Sequence, residues 1–207
     1  MIKVYLDDVR ATPPGWSRTN SVNETINFLS KNVVTHLSLD NDLGENEPEG
    51  YLVVDWLEEK VHGDPSFLIP EITVHSSNPT RSKYMERGIK SIERIRKTQL
   101  NDLKKTIMDS IKYASKEGYR IVFGDWGNIE NKCACALSCV ILKESNMITS
   151  PDLMVDLVSK SLNVSEKWIN SFVEGFDNIG SASGSNFPEA WILGNEINKE
   201  INPSLYK

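Results

Sequence analysis

No run of about 18 apolar residues occurs in the 207-residue chain, so a membrane-spanning helix is not expected. The opening stretch MIKVYLDDVR lacks the long apolar core of a secretory leader, and a cytoplasmic location follows as the expectation. Cysteine is scarce. The three that exist fall within Cys133-Ala-Cys135-Ala-Leu-Ser-Cys139, an odd number in one short stretch, which excludes a secreted disulfide framework. Their spacing is not a usual zinc pattern and no histidine lies nearby in sequence. Ala134, Ala136, Leu137, Val140 and Ile141 around them predict a buried helix in which cysteine acts as a small hydrophobe. Positive charge is also short. With 23 basic against 29 acidic residues the net charge is −6, which argues against a protein that coats nucleic acid non-specifically. A phosphate site must therefore be local, and duplex DNA is not an expected partner.

What is present is a strand-helix alternation. Residues 2–6, IKVYL, predict a first strand, and the loop ATPPGW follows. Ser21 and Glu24 form a capping box, with Val22, Ile26 and Leu29 marking a helix that Asn32 ends. Residues 33–39 predict a second strand, a helix runs from Gly50 to about Val61, and Glu71 to Ser76 gives a third strand. Pro79 keeps Asn78 extended, and a helix from about Arg81 to Lys97 carries Met85, Ile89, Ile92 and Ile95 on one face. A separate helix, marked by Leu100, Leu103, Ile107, Ile111 and Ala114, is expected to end at Gly118. The remainder reads as helical, with starts at Ser150-Pro151, Ser165 and Pro188 and a Gly/Ser-rich loop over 178–186. The expected architecture is α/β: a receiver-like, three-layer parallel-sheet domain over 1–97, then an α-helical domain over 98–207.

Strands of a parallel sheet deliver their final residues to one carboxyl-edge crevice. Three strand ends here present Asp7, Asp8 and Arg10; Asp40, Asn41 and Asp42; and His75, Ser76, Ser77, Asn78 and Arg81. Carboxylates repel unless a hard cation neutralises them, whereas Arg, Ser and Asn side chains can hold phosphate oxygens and His can move a proton near neutral pH. Trp16 either closes over a nucleobase or packs against the sheet edge. The basic residues Lys83, Arg87, Lys90, Arg94, Arg96 and Lys97 read as a solvated face.

The motifs LDDVR, PPGW, SLDNDLGE and HSSNPTR, in that order, resemble the cREC family, receiver-like domains named for predicted processing of cyclic phosphates. The resemblance covers residues 1 to about 97 and implies a site at Asp7, Asp8, Arg10, Asp40, Asp42, His75, Asn78 and Arg81. Two features separate the segment from a phosphorelay receiver. Only about 32 positions divide the first acidic pair from Asp40, too few for two βα units, and no strand ending in Lys follows the 82–97 helix.

These residues lead to the expectation of a metal-dependent phosphodiester hydrolase acting on a cyclic phosphate of a nucleotide or RNA end. Asp7, Asp8, Asp40 and Asp42 would hold Mg²⁺ or Mn²⁺. Arg10, Asp40 and His75 would serve the chemistry, His75 protonating the leaving oxygen, with Trp16, Ser76, Ser77, Asn78 and Arg81 joining Arg10 in binding substrate. The rival reading is a binder that sequesters a cyclic nucleotide or other phosphorylated messenger without turnover. A third has the helical half docking a protein partner. Leu162-Asn-Val-Ser165 resembles a helix-turn-helix junction, but the acidic balance of residues 150–207 speaks against DNA contact.

Overall fold

Four short parallel strands form the first sheet of the computed structural model, which describes residues 2–206. The element order is β1 (Ile2–Leu6), β2 (Ser17–Thr19), α1 (Val22–Lys31), β3 (Val34–Leu39), α2 (Tyr51–Gly63), β4 (Glu71–Val74) and α3 (Pro79–Lys116). Strand order in the sheet is β2-β1-β3-β4. Side chains alternate along each strand, so Val4 and Leu6, Leu37 and Leu39, and Ile72 and Val74 share one face. That face meets Val22 and Leu29 of α1, Val53, Val54, Leu57 and Val61 of α2, and Met85 and Ile92 of α3 in a single core. The alternate positions Tyr5, Ser38 and Thr73 look to the other face.

Ser21 caps α1 by accepting from the Glu24 amide at 3.3 Å, as the sequence predicts, while the Glu24 carboxylate reaches the Asn20 amide at 2.8 Å, one residue before the cap. β2 was not expected. It lies between the ATPPGW loop and Ser21, in a stretch with no predicted element, and pairs with β1 in parallel, Val4 to Ser17 and Leu6 to Thr19.

The chain divides into two compact units, Met1–Lys97 and Thr98–Lys207. The expected helix break at 97–100 is absent, because α3 is one helix of 38 residues and the division falls inside it. Nothing between Thr98 and Asn101 breaks a helix, so it runs on across a polar patch from the buried Ile92 to the buried Leu103, Ile107 and Ile111. Arg96, expected on a solvated face, is buried with its guanidinium on the carbonyls of Pro65 and Phe67.

The second unit holds a small sheet that the sequence did not disclose: β5 (Arg120–Ile121), β6 (Gly127–Asn128) and β7 (Cys133–Ala134), with β7 central. Cys133 is thus on a strand rather than in the expected helix. Only Cys139 lies within α4 (Ser138–Ser145), while Cys135 precedes it and accepts from the Ser138 amide at 3.4 Å. All three cysteines are free. Burial, reinforced by the Cys135 sulfur, pushes the Cys139 thiol up to about 12, so it stays an unreactive hydrophobe. Then come α5 (Pro151–Leu162), α6 (Glu166–Phe176) and α7 (Pro188–Ile201), starting where the sequence places their caps. α6 and α7 cross backbone to backbone: a Cβ on Gly194 would lie 2.2 Å from the Phe172 carbonyl oxygen, and one on Gly175 only 1.9 Å from that of Trp191. Among the described residues, no helix is long and apolar enough to cross a membrane.

Candidate functional site

Leu6, Leu39 and Val74 are paired neighbours on β1, β3 and β4, so the residues that follow them, Asp7, Asp40 and His75, occupy the next rung. Backbone bonds continue the ladder by one step, from the Asp40 amide to the Leu6 carbonyl at 2.9 Å and from the His75 amide to the Leu39 carbonyl at 3.0 Å. Having changed parity, these three side chains leave the apolar face and join Tyr5 and Ser38 on the other. Ligand atoms of Asp7, Asp40 and His75 lie within 4.8 Å of one another.

Asp7 is fully buried. Its Oδ1 accepts from the amides of Val9 at 2.8 Å and Arg10 at 2.5 Å; its Oδ2 accepts from Arg10 Nη1 at 2.9 Å and faces His75 Nε2 at 3.1 Å. Burial alone would raise this carboxyl, but the Arg10 amide and guanidinium, the Val9 amide and His75 hold it down at about 2. Arg10 Nη1 also donates to Asp40 Oδ2 at 2.5 Å, and Nη2 donates to Ser77 Oγ at 2.6 Å. One guanidinium therefore spans both buried carboxylates and the loop after β4.

His75 sits in a sleeve of its own. Tyr5 stacks on it with ring centroids 4.3 Å apart, and Ser38 Oγ meets Nδ1 at 2.7 Å. An ionised Asp7 can only accept, so Nε2 carries the proton and Nδ1 accepts from the Ser38 hydroxyl. Burial lowers the His75 pKa below its usual value, with Asp7 opposing.

The 40–51 loop is tied down by Asn41, which donates to Asp42 Oδ1 at 2.9 Å and Glu49 Oε2 at 3.1 Å. Gly50 donates to the Asn41 carbonyl at 2.8 Å to start α2 against the site, where a Cβ would fall 1.9 Å from the Asp40 carbonyl oxygen. Glu49 pairs with Arg81 twice, at 2.8 Å to Nε and 3.0 Å to Nη2, and Tyr51 lies under the same guanidinium at 5.2 Å. Asn78 caps α3, its Oδ1 accepting from the Arg81 amide at 3.1 Å, and Ser76 Oγ accepts from the Asn78 amide at 3.2 Å.

The structure thus gathers Asp7, Asp40, His75, Arg10 and Ser77, with Ser76, Asn78 and Arg81 at the adjoining helix start. Asp8 and Asp42 stand outside the cluster: Asp42 is exposed, and Asp8, of opposite parity to Asp7, lies by Gly44. Trp16 packs on the sheet, edge-on to both Tyr5 and His36 at 6.3 Å. Sequence reasoning missed Tyr5, Ser38 and Glu49. The first two each lie two residues before a site carboxylate on the same face of its strand, a relation that strand pairing brings out; Glu49 carried no comparable signal.

For a divalent ion the donor set is favourable in kind. Carboxylate oxygens suit Mg²⁺ and Mn²⁺, His75 suits the latter, and Asp8 Oδ1 is buried with no hydrogen-bond partner among the described residues. Arg10 holds the same oxygens, so an ion there would have to displace this guanidinium.

No curated protein and no solved structure matches the chain. Residues 2–91 match the family model for the cyclic-phosphate processing receiver domain, the family that the four sequence motifs resemble, over nearly the whole of the first unit.

Proposed function

We propose that the first unit hydrolyses a cyclic phosphodiester on a nucleotide or RNA end, with Mg²⁺ or Mn²⁺ held by Asp7 and Asp40. The observation that carries this reading is the shared rung of Asp7, Asp40 and His75, spanned by Arg10 and edged by the phosphate-type donors Ser77, Asn78 and Arg81. A bound ion would supply Lewis-acid polarisation of the phosphoryl group and a more acidic water. Arg10, on leaving the carboxylates, offers a planar pair of N–H donors to non-bridging phosphate oxygens, and Ser77 moves with it as a neutral donor. Arg81 stays positioned by Glu49 and Tyr51. Ring opening joins a water oxygen to phosphorus, breaks the bond from phosphorus to the ring oxygen, passes one water proton to bulk solvent, and frees the ring oxygen as a hydroxyl. His75 in its imidazolium form provides that hydroxyl proton from Nε2, and Asp7 stabilises the imidazolium beforehand.

One observation favours the second reading, a binder without turnover. Both ring nitrogens of His75 are engaged and Arg10 already neutralises the carboxylates, so the resting site needs neither an ion nor a proton donor to be stable. Incubating the full chain with cyclic and linear phosphodiesters, with and without Mg²⁺ or Mn²⁺, separates the two. Multiple metal-dependent turnovers of a cyclic substrate support hydrolysis; quantitative recovery of a tightly bound, intact cyclic nucleotide overturns it.

A further inference from the structure

We infer that the outer face of α3 between Lys83 and Lys97 is a track for a single RNA strand, which makes the substrate the cyclic-phosphate end of an RNA rather than a free cyclic nucleotide. The inference rests on the phosphate-processing reading above. Lys83, Arg87, Lys90, Arg94 and Lys97 fall at i, i+4, i+7, i+11 and i+14, one cation for each turn, so they form a single stripe. Every one of them is exposed, on the side of α3 away from the buried Met85 and Ile92. Glu86 and Glu93 run along one flank, yet Lys83, Arg87, Lys90 and Lys97 pair with no carboxylate among the described residues.

Exposed helix faces ordinarily interleave opposite charges one turn apart, whereas like charges at that spacing repel and weaken the helix. Within the stripe like charges stand one turn apart and repel, while Glu86 and Glu93 stand one turn from Lys83, Lys90 and Lys97 along one flank only, and the stripe stands out on a chain of net charge −6. It extends about 21 Å with a cation every 5.4 Å or so, a repeat that suits the successive phosphates of an extended strand. Its Lys83 end is the end of α3 nearer the site. Arg81, whose amide Asn78 caps, lies in the first turn of α3, and Lys83, two residues on, stands about 200° further round the helix. A strand lying on the stripe would reach Ser77 and Arg10 by passing over the N-terminal end of α3. A cyclic phosphate at a strand end bridges the 2′ and 3′ oxygens, which requires ribose and excludes DNA as substrate. The apolar side of this segment is committed to the core, leaving no amphipathic face to enter a lipid surface.

The test uses the full chain and three probes: a 5′-fluorescein decaribonucleotide ending in a 2′,3′-cyclic phosphate, the same decamer with a 3′-hydroxyl, and a 2′,3′-cyclic mononucleotide. Fluorescence anisotropy should show that wild type binds both decamers, log K falling against log salt with a slope of about −2 to −3.5. Turnover of the cyclic decamer should exceed that of the mononucleotide by about tenfold or more in kcat/KM. R87E/K90E, changed at two exposed positions, should lose that preference and the salt-sensitive binding while its mononucleotide kcat/KM stays unchanged. Equal turnover of decamer and mononucleotide overturns the track, as does decamer affinity that R87E/K90E leaves intact or a preference for phosphatidylserine vesicles over RNA. If neither cyclic substrate is turned over, the hydrolysis reading fails by itself, and the anisotropy arm still decides the track.

Discussion

His75 lies flat on Tyr5, ring centroids 4.3 Å apart and 8° from parallel, and both side chains reach the same atom, Oδ2 of Asp7, at 3.1 and 3.5 Å. The stack fixes the imidazole plane, Ser38 fixes its tautomer, and Asp7 receives the product of both constraints. Burial raises the Tyr5 pKa, with the Asp7 charge adding to the effect, so Tyr5 remains a phenol that donates.

Asp7 ties stability to pH. Its folded pKa of about 2 lies below the usual carboxylate value, so without metal it contributes stability that is fully present above about pH 5 and is lost as pH falls toward 2. The contribution is on the order of 2–3 kcal/mol. Urea unfolding of Asp7→Asn should show a deficit of that size at pH 7 that closes near pH 2; a constant deficit across this range would remove the carboxylate from the acid limb.

On the proposed hydrolysis His75 acts in its protonated form, and burial lowers its pKa below the usual 6.5 or so. Turnover should therefore fall as pH rises through a value under about 6.5. His75→Ala should retain ligand affinity and lose about 10²–10⁴-fold in kcat. A flat profile from pH 5 to 8, or parallel loss of affinity and turnover, would make His75 an anchor instead.

Arg10 occupies Asp7 Oδ2 and Asp40 Oδ2, the oxygens that the proposed divalent ion would take. Arg10→Gln leaves two buried carboxylates without their shared cation, so the melting temperature should drop. Millimolar Mn²⁺ should restore more of it than Mn²⁺ adds to wild type, because an ion that binds only the folded state stabilises it by mass action. Calorimetry that detects no Mn²⁺ binding to this variant would dismiss the metal assignment.

Gly50→Ala drives a methyl into the Asp40 carbonyl, which a Cβ would approach to 1.9 Å, whereas Gly63 on the same helix has nothing within 4 Å of its added Cβ. The first substitution should cost roughly 1–3 kcal/mol and depress activity by displacing Asp40. Gly63→Ala should be near neutral in both, and equal behaviour of the two variants would mean that the α2 start yields at no cost.

The strands and the carboxylates were readable because an apolar run followed by Asp is visible locally: IKVYL then Asp7, VTHLSL then Asp40. Tyr5 and Ser38 were not, since a hydroxyl inside a strand looks like filler until pairing shows which face it shares. The bond between Glu49 and Arg81 spans 32 positions and β2 is only the three residues SRT, so neither leaves a local pattern. Asp8 and Asp42 stand apart from the Asp7, Asp40 and His75 cluster for two different reasons: Asp8 has the opposite parity to Asp7, and Asp42 is exposed in the loop after β3. The continuous α3 was missed because two apolar stretches meeting at a polar patch imitate two helices, although only a breaker would part them.

The rung shared by Asp7, Asp40 and His75 makes the chemistry a proofreader of strand alignment. A slip of one residue in β1 would put Leu6 or Asp8 where Asp7 belongs, stranding a leucine among charges or an unbonded carboxylate opposite Arg10. Misaligned molecules would lose their site and their core packing together, so the ligand-binding stoichiometry of a preparation should count correctly paired sheets, and partially active conformers should be rare.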